Sequence, residues 1–111
     1  MTLPFYLDYN ATTPVDPLVA DAIHAVLREH FGNPSSSHVY GRTARRIVDE
    51  ARARVARLIN ADPDEIIFTG CATEANNLAV QGVTRALRAS KKHLIISAIE
   101  HPAVMQPAML L

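Results

Sequence analysis

A short stretch near the middle of the sequence joins an apolar run, a turn of small residues and the start of a helix. Residues 66–68 are β-branched or aromatic and predict a buried strand. Gly70 permits a sharp turn and the close approach of a ligand. Because a helix begins with unpaired N–H groups and the positive end of its dipole, its start binds anions, and Thr73 adds a hydroxyl there. The stretch predicts a phosphate site, although ordinary helix capping produces the same pattern. The apolar residues that predict a helix from about Thr73 are Ala75, Leu78, Ala79, Gly82, Val83, Ala86 and Leu87.

Three other side chains, two of them in or beside this stretch, have types that do chemistry. His101 follows a second predicted strand, residues 93–97, at the sheet edge where open α/β folds bind ligands. The turn at 70–73 follows its own strand, so we expect both to face one crevice. By position alone, His101 is more typical of a surface histidine that caps a turn. Cys71 is either a reactive thiol near a helix start or, as its size favours, a buried packing residue. Glu74 is either a base or, more ordinarily, a first-turn carboxylate that the helix dipole stabilises.

Two other functions are disfavoured by the pattern of charges and histidines. The arginines of residues 42–57 are interrupted by Asp49 and Glu50, and Glu50 precedes Arg54 by four residues, which favours a solvated helix face over a nucleic-acid surface. The five histidines lack close metal-binding spacing, so no zinc site is predicted.

The composition predicts a small soluble unit. The chain has 111 residues, no net charge and 49% hydrophobic residues, which would bury roughly two thirds of the unfolded surface. Its charge balance gives no electrostatic drive towards nucleic acid or membrane, and no apolar run approaches the roughly 20 residues of a membrane span. One cysteine and the absence of an export signal predict a cytoplasmic protein. The apolar end after Pro102 predicts that the sequence stops inside a longer protein.

Hydrophobic periodicity supplies the elements that position these residues. A first helix is predicted after a polar turn at 10–14, with Pro14 or Pro17 in its first turn. A second is predicted from Val39 or Thr43 to Ile59. Strand, helix and strand then follow in order, which is typical of an α/β fold with a mostly parallel sheet.

Four segments in register resemble one known family. They are residues 6–14 (YLDYNATTP), 31–38 (FGNPSSSH), 68–74 (FTGCATE) and 100–101 (EH). In this order they resemble cysteine desulfurases of the NifS/IscS group. Those are pyridoxal-phosphate (PLP) enzymes of the class V aminotransferase family, with a fold type I large domain. The resemblance implies the N-terminal portion of a PLP-dependent transferase, an α/β fold whose mostly parallel sheet is flanked by helices. Residues 1–60 would belong to a small N-terminal part, and residues 61–111 would begin the cofactor-binding large domain.

The same resemblance implies roles for particular residues. Ala72 and Thr73 match the pair that binds the cofactor phosphate, and His101 matches the histidine that stacks on the pyridine ring and assists proton transfer. The implied reaction takes sulfur from L-cysteine, leaving L-alanine and an enzyme persulfide for iron–sulfur cluster assembly or another sulfur-transfer pathway. A sulfur-acceptor or scaffold protein and a second copy of the chain are the implied partners, with no nucleic acid and no membrane.

Several groups that the family needs are missing from the sequence. They are the lysine that holds the cofactor covalently, the acidic partner of the pyridine nitrogen, the substrate arginine and the sulfur-accepting cysteine. Lys91 and Lys92 do not match the first of these, and Cys71 stands where relatives often have glycine, which we expect to cost backbone freedom. Selenocysteine lyase, another class V aminotransferase and an inactive chain that acts only as an interaction partner therefore remain alternatives.

Overall fold

The computed structural model describes residues 4–111, which form four α-helices and one 3-10 helix. The helices are α1 (Pro17–Glu29), α2 (Val39–Ile59), α3 (Ala72–Leu87) and α4 (Pro102–Met109), and the 3-10 helix spans Pro63–Glu65. The chain divides into two compact units, one ending at Ile66 and the other comprising Ile67–Leu111. Within residues 4–111, no helix is long and apolar enough to cross a bilayer.

The first unit begins with a turn that a tyrosine closes. The hydroxyls of Tyr6 and Thr12 lie 2.6 Å apart, and the Ala11 N–H donates to the Asp8 carbonyl at 3.1 Å. The polar turn predicted at 10–14 is therefore present at residues 9–11 and is tied back to the segment before it.

Helix α1 begins at Pro17, so the second of the two predicted prolines occupies its first turn. Asp16 caps it, because its Oδ1 accepts the Leu18 N–H at 2.8 Å. Within residues 4–111 this helix packs against no other helix, and its residues are all exposed. The apolar face of α1 is thus formed as predicted but is not buried.

Helix α2 begins at Val39, the earlier of the two predicted starts, and ends at Ile59 as predicted. Asn60 ends it in the left-handed conformation, with φ 55°. The helix packs against the 3-10 helix, and the Arg52 guanidinium donates to the Ile66 carbonyl. Ala44 and Ala56 are buried, whereas Leu58 is 85% exposed, so only part of the predicted apolar face is covered.

Most arginines of α2 lie on a solvated face, as their pattern predicts, whereas Arg52 is half-buried beside Ile66. Arg46 pairs with Glu50 at 2.6 Å and Arg45 with Asp49 at 3.8 Å, all with exposed side chains. Glu50 is thus paired with the arginine four residues before it, and the expected pair with Arg54 is not among the ion pairs of residues 4–111.

The second unit is a pair of packed helices, α3 and α4. Helix α4 has no counterpart among the predicted elements; its Ala103 and Pro107 are buried. The strands predicted at 66–68 and 93–97 lie in segments without regular secondary structure, and residues 4–111 contain no strand. Since a strand is stabilised by hydrogen bonds to a neighbouring strand, an apolar run alone does not form one. The helices of the predicted α/β fold are present, and its parallel sheet is not formed.

Candidate functional site

The first turn of α3 presents a set of backbone donors that no described residue occupies. The helix begins at Ala72, and its first internal bond runs from the Ala75 N–H to the Cys71 carbonyl at 3.1 Å. The N–H groups of Ala72, Thr73 and Glu74 donate to no acceptor within residues 4–111. Together with the Thr73 hydroxyl, these donors are the groups on which the prediction of an anion site rests.

The N-terminus of α3 differs from those of the other three α-helices. Asp16 caps α1, His38 caps α2 through Nδ1 at 3.3 Å from the Gly41 nitrogen, and His101 caps α4. At the start of α3 the capping residue is Cys71, whose side chain accepts no hydrogen bond. Serine, threonine, aspartate or asparagine at this position would fill one of the open N–H groups. A cysteine leaves them available to an external anion.

Cys71 does not behave as the sequence suggests. Its backbone is extended, with φ −163° and ψ 168°, which any residue adopts, so cysteine is not strained at this position. Its side chain is exposed, so the prediction of a buried packing residue is wrong. No described glycine has a positive φ, and a Cβ placed on Gly70 would meet the Glu74 Oε2 at 3.4 Å. The turn therefore needs no left-handed residue at Gly70.

Two side-chain bonds fix the turn that leads into α3. The Thr69 hydroxyl donates to the Cys71 carbonyl at 3.1 Å, and the Gly70 N–H donates to the Glu74 carboxylate at 2.7 Å. The second contact is absent from the predictions, although the sequence carries a signal for it. Glutamate three residues after a capping residue is the spacing of a capping box, and Cys71 and Glu74 have it.

His101 is the N-cap of α4. Its Nδ1 accepts the Ala103 N–H at 3.1 Å, and the residue is exposed. This is the ordinary capping role that position alone predicts. An accepting Nδ1 assigns the hydrogen of the neutral ring to Nε2. The ring face and Nε2 remain available to a ligand.

Helices α3 and α4, which carry Thr73 and His101, pack against each other. The C-terminal ends of both helices line one cavity of about 770 Å³, together with Lys91, Lys92 and His93. No hydrogen bond in residues 4–111 joins His101 to Ala72 or Thr73.

The described residues offer no obvious metal centre. No group of three histidine, cysteine, aspartate or glutamate side chains in residues 4–111 is placed to hold a metal ion. The exposed thiol of Cys71 and the ring of His101 therefore belong to no such group.

Comparison with known proteins decides the family. The model of the aminotransferase class-V family matches residues 5–111. The chain belongs to this family.

Relatives within the family are named for one activity. A protein of Methylobacillus flagellatus named cysteine desulfurase IscS is 54% identical over 104 residues, which cover 92% of this chain and 26% of the relative. A protein of the same name from Pseudomonas savastanoi is 54% identical over 108 residues, which cover 95% of this chain and 27% of the relative. These matches agree with the resemblance seen in the four sequence segments.

A solved structure with a similar fold has a related name. A NifS-like protein superimposes with a TM-score of 0.82 at 38% identity. The match covers 93% of this chain and 28% of the NifS-like chain. The chain therefore spans about a quarter of the length of the relatives it matches.

Proposed function

We propose that this chain forms part of the PLP site of a cysteine desulfurase, which converts L-cysteine to L-alanine and leaves the sulfur on the enzyme as a persulfide. The observation that carries the proposal is the uncapped start of α3, where three consecutive N–H groups and the Thr73 hydroxyl are open. The names of relatives at 54% identity supply the reaction. A sulfur-acceptor or scaffold protein and a second copy of the chain are the proposed partners, and the cytoplasm is the proposed location.

The donors at α3 fit a phosphate. A helix N-terminus stabilises an anion through its free N–H groups and its dipole, and a hydroxyl in the first turn adds one further donor. Ala72 and Thr73 would bind the phosphate of PLP in this way, and the small Ala72 side chain leaves room beside them. When bound, PLP supplies an electron sink at the substrate carbon; the protein binds and orients it.

His101 would cover the ring of the cofactor. With Nδ1 engaged by the Ala103 N–H, the neutral imidazole carries its hydrogen at Nε2 and donates from that atom. To act as a base at Nε2, the ring has to carry its hydrogen at Nδ1, and to act as an acid it has to carry hydrogens at both nitrogens. In both states Nδ1 is protonated and no longer accepts the Ala103 N–H of α4. We therefore propose that His101 stacks and donates a hydrogen bond while it caps α4, and exchanges a proton after the cap bond opens.

The cofactor lysine and the sulfur-accepting cysteine are proposed to lie outside these 111 residues. Lys91 and Lys92 line the cavity at the C-terminal end of α3. That helix has 16 residues and is about 24 Å long, so both lysines lie far from Thr73. The thiol of Cys71 lies next to the proposed phosphate site, and the resemblance gives it no part in accepting sulfur.

We further propose that the two apolar segments without regular structure become strands of a mostly parallel sheet in the complete fold. Ile66 already has an extended backbone, with φ −92° and ψ 123°. On this proposal residues 1–60 belong to a small N-terminal part and residues 61–111 begin the cofactor-binding domain.

Replacement of Thr73 by valine tests the proposed function in protein made from the complete reading frame. A hydrogen bond to a charged group is worth about 1.5 kcal/mol or more, so we expect Thr73→Val to weaken PLP binding at least about ten-fold. PLP binding is measured by absorbance titration of the cofactor-free protein, and alanine formation from L-cysteine is measured alongside.

The matched control is Thr84→Val on the same helix. The Thr84 hydroxyl donates to the Val80 carbonyl at 2.6 Å, away from the first turn of α3, so this variant should bind PLP as the parent does. Equal PLP affinity in the parent and Thr73→Val would remove the anchoring role, and failure of the parent to form alanine from cysteine would remove the reaction.

A further inference from the structure

The carboxylate of Glu74 makes an unusual contact at the start of α3. Its Oε2 accepts the N–H of Gly70, four residues earlier, at 2.7 Å. A bond this short to an ionised acceptor is typical of the stronger, charge-assisted hydrogen bonds. It closes the turn that precedes the open donors of Ala72 and Thr73.

A comparison inside the same chain shows what is different about this contact. At the 3-10 helix, Glu65 accepts the N–H of the capping residue, Asp62, at 2.8 Å, as a capping box does. Glu74 occupies the equivalent position in α3 but reaches one residue further, past Cys71 to Gly70. The N–H of Cys71 is therefore also left without an acceptor in residues 4–111.

The other contacts of the turn work in the same direction. The Cys71 carbonyl accepts both the Thr69 hydroxyl and the Ala75 N–H, each at 3.1 Å. Cys71 is thus held from its carbonyl side while its own side chain makes no cap. The Gly70 N–H is bonded to Glu74, and neither Gly70 nor Cys71 accepts a hydrogen bond from the N–H groups of Ala72, Thr73 or Glu74.

We infer that Glu74 is a positioning residue for phosphate binding: its bond to the Gly70 N–H fixes the turn before α3 in a conformation that leaves the donors of Ala72 and Thr73 open. This inference rests on the proposed PLP site. The carboxylate acts through Gly70 and does not touch the phosphate. Because like charges repel, the negative charge of Glu74 opposes phosphate binding. The hydrogen bond from Gly70 to Glu74, by contrast, favours phosphate binding. The substitution Glu74→Gln separates these two effects, because glutamine is uncharged and its amide oxygen still accepts the Gly70 N–H.

The experiment compares binding of PLP with binding of pyridoxal, which lacks the phosphate, to cofactor-free protein from the complete reading frame. The ratio of the two affinities measures the phosphate contact. A change that merely loosened the fold would lower both affinities and leave this ratio unaltered. We expect Glu74→Ala to lower the ratio about ten-fold, equivalent to about 1.4 kcal/mol, and Glu74→Gln to keep it at or above the parent value.

Glu65→Ala is the matched control, because it removes the same kind of carboxylate-to-N–H bond at the 3-10 helix, away from the proposed site. It should leave the ratio unchanged. An unchanged ratio in Glu74→Ala, or an equal fall in Glu74→Gln and Glu74→Ala, would overturn the inference. Thr73→Val separates this failure from that of the proposed function: if that variant weakens PLP binding and Glu74→Ala does not, the site stands and the role of Glu74 falls.

Discussion

At the scale of single residues, the candidate site depends on which polar groups are already engaged. His101 is engaged at Nδ1 by the Ala103 N–H, whereas Thr73 donates its hydroxyl to no described acceptor. Because its Nδ1 is bonded, the ring of His101 is held in place and donates from Nε2. Because the Thr73 hydroxyl has no described acceptor, it is able to donate to a ligand.

Asparagine at position 101 separates the two roles of the histidine. It is among the best capping residues, so His101→Asn should keep the stability of the parent, whereas His101→Ala should cost about 1 kcal/mol. Both variants lose the ring, and both should lose most alanine formation from L-cysteine. Urea unfolding measures the first effect and product analysis the second. Full activity in His101→Asn would show that the ring is dispensable.

The sequence predicts the identity of these residues better than their contacts. The spacing of the apolar residues places Ala72 and Thr73 at a helix start, and the structure has α3 begin at Ala72. The exposure of Cys71 and the reach of Glu74 to Gly70 depend on the path of one turn, which residue type alone does not specify.

At the scale of elements, local signals predict the helices well where apolar residues repeat with the helical period. Helices α1, α2 and α3 all have that repeat, whereas α4 is short, has two prolines and is apolar without a clear period. Pro107 is tolerated inside α4, where it is buried. The predicted strands depend on neighbours distant in sequence, so their apolar runs could not establish a sheet.

Two glycines provide a test of packing in the helices. A Cβ on Gly41 of α2 would lie 2.7 Å from the Asn33 carbonyl oxygen and closer still to that of Ser36, whereas a Cβ on Gly82 of α3 would meet nothing within 4 Å. Gly41→Ala should therefore destabilise the protein by several kcal/mol, because backbone has to move. Gly82→Ala should stabilise it by about 0.5–1 kcal/mol, because alanine loses less entropy in a helix.

Urea unfolding of both variants measures these opposite effects. A stable Gly41→Ala protein would show that α2 does not pack on residues 33–36 as described. Gly82→Ala is the matched comparison, since it introduces the same methyl group into a helix.

The end of α2 allows a third test. Asn60 has φ 55°, where a side chain costs roughly 1–2 kcal/mol but asparagine and glycine are tolerated. Asn60→Gly should leave the free energy of unfolding near the parent value, and Asn60→Val should lower it by about 1 kcal/mol or more. Equal stability of the two variants would contradict the left-handed cap.

At the scale of the whole molecule, the chain buries little apolar surface. Its accessible surface is 9952 Å², whereas a folded monomer of 12.1 kDa exposes about 6,000 Å². The prediction that it buries two thirds of its surface is therefore wrong for these 111 residues. Apolar side chains that remain largely exposed include Leu18, Leu27, Ile95 and Ile99.

This exposure predicts that the 111-residue chain associates with itself in isolation. Sedimentation velocity at rising protein concentration should show species larger than the monomer, because apolar patches of this kind bind one another. A variant with Leu18→Glu and Leu27→Glu on α1 should associate less, whereas Arg28→Glu should not change association. A monomer at every concentration would contradict this prediction.

The most direct test of the central claim is a crystal structure of the protein from the complete reading frame with PLP bound. The claim predicts phosphate oxygens about 2.9 Å from the backbone nitrogens of Ala72 and Thr73 and within hydrogen-bond distance of the Thr73 hydroxyl, with the ring of the cofactor against His101. A phosphate bound elsewhere, with these N–H groups taken up by the protein itself, would contradict it.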